Sequence, residues 1–332
     1  MEFKLNGNTI SYEGDPEMSL MTYLRDVEDI ISPKDGCAPE GVCGCCTVLM
    51  DNNPLKACIA PMRRIEGKGN RFTSNPRVFT GLGLLLVVSL LFLNKTSAFI
   101  LLILVALIST KEWFDIFDYG VIIPYPLLLY ASIAPLVIAY FYGLENIHVP
   151  LFIFPIGVIV YTGTFVTYGI YEKFGSSFLF LIWFGTGLAC IGYVLQNVGA
   201  LFTFLALISI SVSDIAAYEF GRRYGKRKLY EEISPNKTVE GFFAGLITGS
   251  LAMYIVLSNN FEIETIPTLL ISFIFILFGV LGDLFESRIK RSLDVKDSSD
   301  FLPGHGGVLD RVDSQILSFP VLVLFIQFLF PF

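Results

Sequence analysis

The sequence predicts a polytopic, all-α membrane protein of about nine transmembrane helices, N-terminus inside, behind a small α+β domain. Three observations carry that expectation. Apolar residues gather in nine long runs after Val78, composition shifts abruptly near that point, and Lys and Arg collect in alternate loops. Of the 332 residues 54% are hydrophobic and only 16% charged, against about 25% charged in ordinary soluble proteins. The mean hydropathy is +0.65.

Residues 1–62 are polar and read as a small soluble domain, with no secretory signal peptide at its start. Short alternating stretches, FKLNG and NTISYEG, suggest strands, and one helix is expected around Leu20–Arg25. Residues 63–77 are basic, rich in Gly and Asn, and read as a linker. The apolar runs then lie near 78–93, 97–110, 121–141, 149–170, 177–194, 198–217, 239–258, 266–285 and 313–331. A helix needs roughly 20 residues to cross a bilayer, so the first two runs are short. They form two thin crossings or one hairpin, and either leaves the chain on the same side. With the N-terminus inside, the inner loops carry Lys111, Lys173, six cations from Arg222 to Lys237 and five from Arg288 to Arg311. The outer loops carry only Lys95. Cytoplasmic loops are the cation-rich ones, so the chain is expected to be integral to the cytoplasmic membrane with the N-terminal domain in the cytoplasm. The net charge of −7 is too unevenly placed to define a partner, and no nucleic-acid partner is expected.

Chemistry concentrates at the inner ends of the later runs. Asp214 lies in SVSDIAAYEFGRR and Asp283 in GVLGDLFESRIKR. An Asp inside a span costs about 2.5–3.5 kcal/mol on insertion scales, so it pairs or lines a polar cavity. Residues 287–313, SRIKRSLDVKDSSDFLPGHGGVLDRVD, hold five cations and five carboxylates in a stretch flanked by apolar runs. Asp310 and Asp313, three residues apart, share a face if this stretch opens the ninth helix. Two carboxylates on one face repel unless a cation lies between them. Mg²⁺ takes one or two carboxylates, keeps waters and accepts phosphate oxygens. Asp283 would supply a third ligand.

The residues Ser287, Ile289, Lys290, Arg291, Lys296, Asp297, Ser299, Leu302, Pro303, His305, Gly306, Gly307, Val308, Asp310, Arg311, Val312 and Asp313 resemble the signature of the phosphatidate cytidylyltransferases. Asp214, Tyr218, Gly221, Arg222 and the loop from Ser234 to Gly241 resemble that family too, with Asn236 where the family has Lys. The resemblance covers about residues 72–332. It implies cytidylyl transfer from CTP to phosphatidate, giving CDP-diacylglycerol and pyrophosphate in phospholipid biosynthesis. Mg²⁺ would be held by Asp283, Asp310 and Asp313, with room for a second cation, and Asp214 would join the catalytic set. Arg222, Lys226, Ser234, Lys237, Ser287, Lys290, Arg291, Lys296 and Arg311 would contact phosphates or substrate. His305 would orient groups rather than act as general base. Membrane lipid and a homodimeric partner are further expectations.

Five of six cysteines fall between Cys37 and Cys58. Cys37, Cys43, Cys46 and Cys58 follow a C-x5-C-x2-C-x11-C spacing, which suits an iron–sulfur cluster or structural zinc. Residues 3–62 resemble the N-terminal [2Fe–2S] domain of the xanthine dehydrogenase and aldehyde oxidase iron–sulfur subunits. The matching pieces are Leu5-Asn6-Gly7, Tyr23-Leu24-Arg25, Lys34-Asp35-Gly36-Cys37, Cys43-Gly44-Cys45-Cys46-Thr47-Val48 and Ala57-Cys58. The resemblance implies a β-grasp, ferredoxin-like fold and a [2Fe–2S] cluster on those four cysteines, with Cys45 outside the ligand set. Such domains normally continue into a second cluster domain. Here the chain turns to the membrane, so the head reads as a redox sensor or tether, a gene-fusion remnant, or an engineered addition.

Other functions fit less well. A CTP-dependent lipid-alcohol kinase would not need the signature in 287–313. A transporter would show related halves and broken mid-span helices. A membrane-anchored electron-transfer protein would show haem-ligating histidines in spans, whereas His148 and His305 lie in loops.

Overall fold

A computed structural model describes residues 2–5, 8–30, 46–50, 53–65, 76–117, 121–230, 234–293, 295, 297–299, 301 and 306–329. They divide into two units, Met1–Ser74 and Asn75–Phe332.

In the first unit, β1 (Glu2–Leu5) pairs antiparallel with β2 (Asn8–Ser11), and β3 (Thr47–Met50) with β4 (Asn53–Lys56). Helix α1 (Leu20–Thr22) starts at Ser19, whose hydroxyl accepts the Thr22 N–H at 3.1 Å, an N-cap. It widens into a looser turn through Val27. Leu20, Tyr23, Leu24, Ala57 and Met62 form its buried core, with Tyr12 edge-on to Tyr23 at 4.9 Å. The expected strands are present, but among the described residues the two hairpins stay separate sheets. A single β-grasp sheet is not seen among these described residues.

The second unit is helical because a chain in hydrocarbon must satisfy its backbone polar groups internally. It comprises α2 (Pro76–Leu91), α3 (Lys95–Ile116), α4 (Tyr125–Tyr142), α5 (His148–Phe165), α6 (Ile170–Phe180), α7 (Thr186–Asn197), α8 (Ala200–Tyr224), α9 (Val239–Asn260), α10 (Thr265–Ser292) and α11 (Leu309–Leu329). A wide turn, Leu181–Gly185, makes α6 and α7 one span. A hairpin of β5 (Lys228–Tyr230) and β6 (Ser234–Thr238) lies between α8 and α9.

Among the described residues seven helices are long and apolar enough to cross a membrane, where the sequence suggested nine. The first expected run forms α2, whose 16 residues fall short of a full crossing. The last forms α11, which opens on Asp310, Arg311 and Asp313. The second, read as short, is the 22-residue α3.

Helices α8 and α9 pack closely through a stripe of small residues. Gly241, Gly245 and Gly249 recur every fourth position and meet Ser213 and Ala217; a Cβ on Gly245 would lie 2.7 Å from the Ser213 carbonyl oxygen. Such stripes let helix backbones approach where lipid offers no hydrophobic drive. Long-range ties join helix ends: Lys95 Nζ donates to the Gln196 carbonyl at 2.7 Å, and Lys173 Nζ to the Ile122 carbonyl at 2.9 Å. The first brings the start of α3 to the end of α7. The second brings the start of α6 to the connection between α3 and α4.

Candidate active site

Helix α10 is the spine of the site. Asp283, Glu286, Ser287 and Lys290 stand at i, i+3, i+4 and i+7, which places them on one face. Lys290 is buried, and its ammonium lies 2.5 Å from Glu286 Oε2 and 2.7 Å from Asp310 Oδ1. Two carboxylates offset what a buried ammonium loses in leaving water. Asp310, in the first turn of α11, also accepts the N–H of Ser298 at 3.0 Å and of Gly307 at 2.8 Å. A carboxylate there faces the positive end of the helix dipole.

Asp283 pairs with Lys237 of β6 and accepts the Ser287 hydroxyl at 3.3 Å. Lys237 is placed by the strand that runs directly into α9, where the Thr238 side chain caps the helix by accepting the Gly241 N–H. Asp313 is buried and accepts the Ser314 N–H at 2.7 Å. It feels the charges of Asp283, Glu286 and Asp214. Asp214, toward the end of α8, feels Asp283, Lys237 and Arg311. Five carboxylates (Asp214, Asp283, Glu286, Asp310 and Asp313) thus face three cations (Lys237, Lys290 and Arg311) at one end of the helices. The excess of negative charge suits a divalent cation bound with anionic substrate.

The expected gathering of Asp283, Asp310 and Asp313 around one ion is not seen. Among the described residues no three His, Cys, Asp or Glu side chains are arranged to hold a metal. Asp283 and Asp313 are electrostatic neighbours, while Asp310 is committed to Lys290 and to backbone N–H groups. The donor set still fits Mg²⁺, which needs only one or two carboxylates and takes its other oxygens from water and phosphate.

The remaining expected residues divide. Arg222 is exposed, pairs with Glu219 at 3.1 Å and stacks over Tyr218. Arg291 is exposed and donates to the Val295 carbonyl. The backbone N–H groups of Lys226 and Arg227 donate to Glu240 Oε2 at 3.0 and 3.3 Å, so Glu240 braces the hairpin that presents Lys237. Ser234 opens β6 opposite Tyr230. Lys296 and His305 lie outside the described residues, as do Cys37, Cys43 and Cys45. Cys46 and Cys58 are buried with their sulfurs 3.1 Å apart.

One carboxylate escaped the sequence reading. Glu112, near the end of α3 and 4% exposed, accepts four hydrogen bonds from a segment nearly 200 residues away. The N–H groups of Val308 and Leu309 donate at 2.9 and 2.7 Å, and the hydroxyls of Ser299 and Ser298 at 2.7 and 3.4 Å. Gly307 is confined by this contact, since a Cβ there would sit 2.7 Å from Glu112 Oε1 and collide with Ser298 Oγ. The available signal was a carboxylate at the end of an apolar run, the same signal that marked Asp214 and Asp283.

The family model described as the Cytidylyltransferase family matches residues 75–329. The chain belongs to this family. Among its relatives are proteins named phosphatidate cytidylyltransferase. The one from Bacillus subtilis (strain 168) is 48% identical over 129 residues, 39% of this chain and 48% of the relative. That of Staphylococcus saprophyticus is 44% identical over 137 residues, 41% of this chain and 53% of the relative. The Staphylococcus aureus (strain COL) protein is 43% identical over 139 residues, again 41% and 53%. The chain spans about half the length of these curated relatives. The carboxylates and cations of this site lie within the stretch that the Cytidylyltransferase family model covers, and the cysteines do not.

Proposed function

We propose that this Cytidylyltransferase family member transfers the cytidylyl group of CTP to phosphatidate, giving CDP-diacylglycerol and pyrophosphate. The observation that carries the reading is the pairing of Asp283 with Lys237 and of Asp310 with Lys290 along one face of α10, with Asp214 and Asp313 as charged neighbours of Asp283. The names of the relatives support the same chemistry. In the reaction a lipid phosphate oxygen forms a bond to the α-phosphorus of CTP as the bond to the pyrophosphate oxygen breaks. Such transfers depend on positioning and charge neutralisation more than on covalent work by the protein.

Lys237, Lys290 and Arg311 carry the charge that binds phosphate oxygens, with Ser287 donating a hydrogen bond. Arg222, Lys226, Ser234, Lys296 and Arg291 extend the phosphate and substrate contacts, and His305 orients. Asp283 and Asp313, with Asp310, would hold Mg²⁺, which when bound supplies positive charge to the α-phosphate and the leaving group. The cation-rich loops orient this end toward the cytoplasm. In the N-terminal unit, the buried contact between Cys46 and Cys58 supports a shared iron–sulfur cluster with Cys37 and Cys43; anaerobic absorbance spectra distinguish it from zinc.

The test uses purified protein in detergent with phosphatidate and CTP labelled at either the α- or the γ-phosphate. Label from the α-position appears in lipid when Mg²⁺ is present and not in EDTA. Transfer of γ-label to a lipid alcohol would establish the kinase instead.

A further inference from the structure

Two carboxylates grip the segment that leads into α11. Asp310 holds it through the N–H groups of Ser298 and Gly307, and Glu112 through the hydroxyls of Ser298 and Ser299 and the N–H groups of Val308 and Leu309. Ser298 is held by both, its N–H by Asp310 and its hydroxyl by Glu112. Glu112 is buried, and its neighbour Trp113 packs against Phe180 and Trp183. Nothing in the proposed reaction uses Glu112. Its four acceptor contacts all go to the segment that fixes the orientation of Asp310, and Gly307 has no room for a side chain beside it.

We infer that Glu112 is a positioning residue: it latches Ser298, Ser299, Val308 and Leu309 to α3 and so sets Asp310 and Lys290 in the geometry the cytidylyl-transfer site requires. The inference rests on the functional reading above. Outer partners of this kind typically change metal affinity or activity by 10–100-fold when removed. Gln at 112 turns one acceptor oxygen into an N–H donor facing donors that already point there. Asp keeps the charge one methylene short.

The test compares the intact chain with Glu112→Gln, Glu112→Asp and, as a control on the same helix end, Asp115→Asn, which removes an exposed carboxylate paired with Lys111. Amide hydrogen exchange of peptides spanning 297–312 is read first, because it reports local opening without reference to catalysis. Glu112→Gln should speed exchange there at least about tenfold, Glu112→Asp should restore most of the protection, and Asp115→Asn should match the wild type. The Mg²⁺ concentration for half-maximal CTP incorporation should rise about 10–100-fold in Glu112→Gln and recover partly in Glu112→Asp. If Glu112→Gln does not fold, Ser299→Ala deletes one donor and should give the same changes at smaller size. Unchanged exchange in a folded Glu112→Gln would overturn the latch. Faster exchange with an unchanged Mg²⁺ dependence and rate would overturn the positioning role. A wild-type chain inactive toward CTP would overturn the functional reading and this role with it, while exchange would still decide whether the latch exists.

Discussion

Lys290 and its two carboxylates show how single residues carry the site. The ammonium is shared by Glu286, which is buried, and Asp310, whose side chain is 6% exposed. Removing one member of a buried pair leaves an uncompensated charge and costs about 3–5 kcal/mol. Lys290→Met should therefore lower the thermal midpoint in detergent well below that of Lys290→Arg, and equal midpoints would sink the pairing as a structural element. The aspartates are tested by activity. Asp283→Asn, Asp310→Asn and Asp313→Asn should each reduce Mg²⁺-dependent CTP incorporation by about 10²-fold or more. Near-full rates in all three would remove the metal-site proposal. Asp214 and Asp283 stand out in the sequence as carboxylates near the ends of apolar runs, and Asp310 and Asp313 as a pair three residues apart. The commitment of Asp310 to Lys290 and to two N–H groups was not legible there, because it depends on how the chain folds back between α10 and α11.

Among the elements, α3 shows what local patterns miss. The apolar run was read to end near residue 110, before Lys111 and Glu112. The helix continues to Ile116 because Glu112 finds four donors in a segment that no local window spans. The glycine stripe of α9 was equally silent in a hydropathy reading, since its meaning comes from Ser213 and Ala217 on α8. Replacing Gly245 by Leu forces a side chain against the Ser213 carbonyl, and overpacking of this kind costs about 1–3 kcal/mol. Gly245→Leu should lower the thermal midpoint and reduce activity, because α9 positions β6 and thus Lys237. A variant that melts and turns over like the wild type would show that α8 and α9 separate at no cost. In the N-terminal unit the alternating stretches did become β1 and β2, while the single sheet implied by resemblance is not seen among the described residues.

At the scale of the whole molecule, alternation of apolar runs and basic loops was enough to predict which helix ends share a side. The ties from Lys95 to Gln196, Lys173 to Ile122 and Glu112 to Leu309 join ends that this alternation puts together. The role of residues 1–62 is a separate matter, since all the proposed transfer residues lie beyond Asn75. Deleting residues 1–62 should leave most of the cytidylyl transfer intact, measured per mole of folded protein. A folded but inactive truncation would mean that the N-terminal unit takes part in catalysis.

The ion pairs of Asp283 with Lys237 and of Asp310 with Lys290 give the chain its own tethered counterions. Stripping divalent ions with a chelator then leaves no wholly bare charge at those two positions to push α10 from its neighbours. The protein should outlast such treatment intact and regain its rate when the ions return.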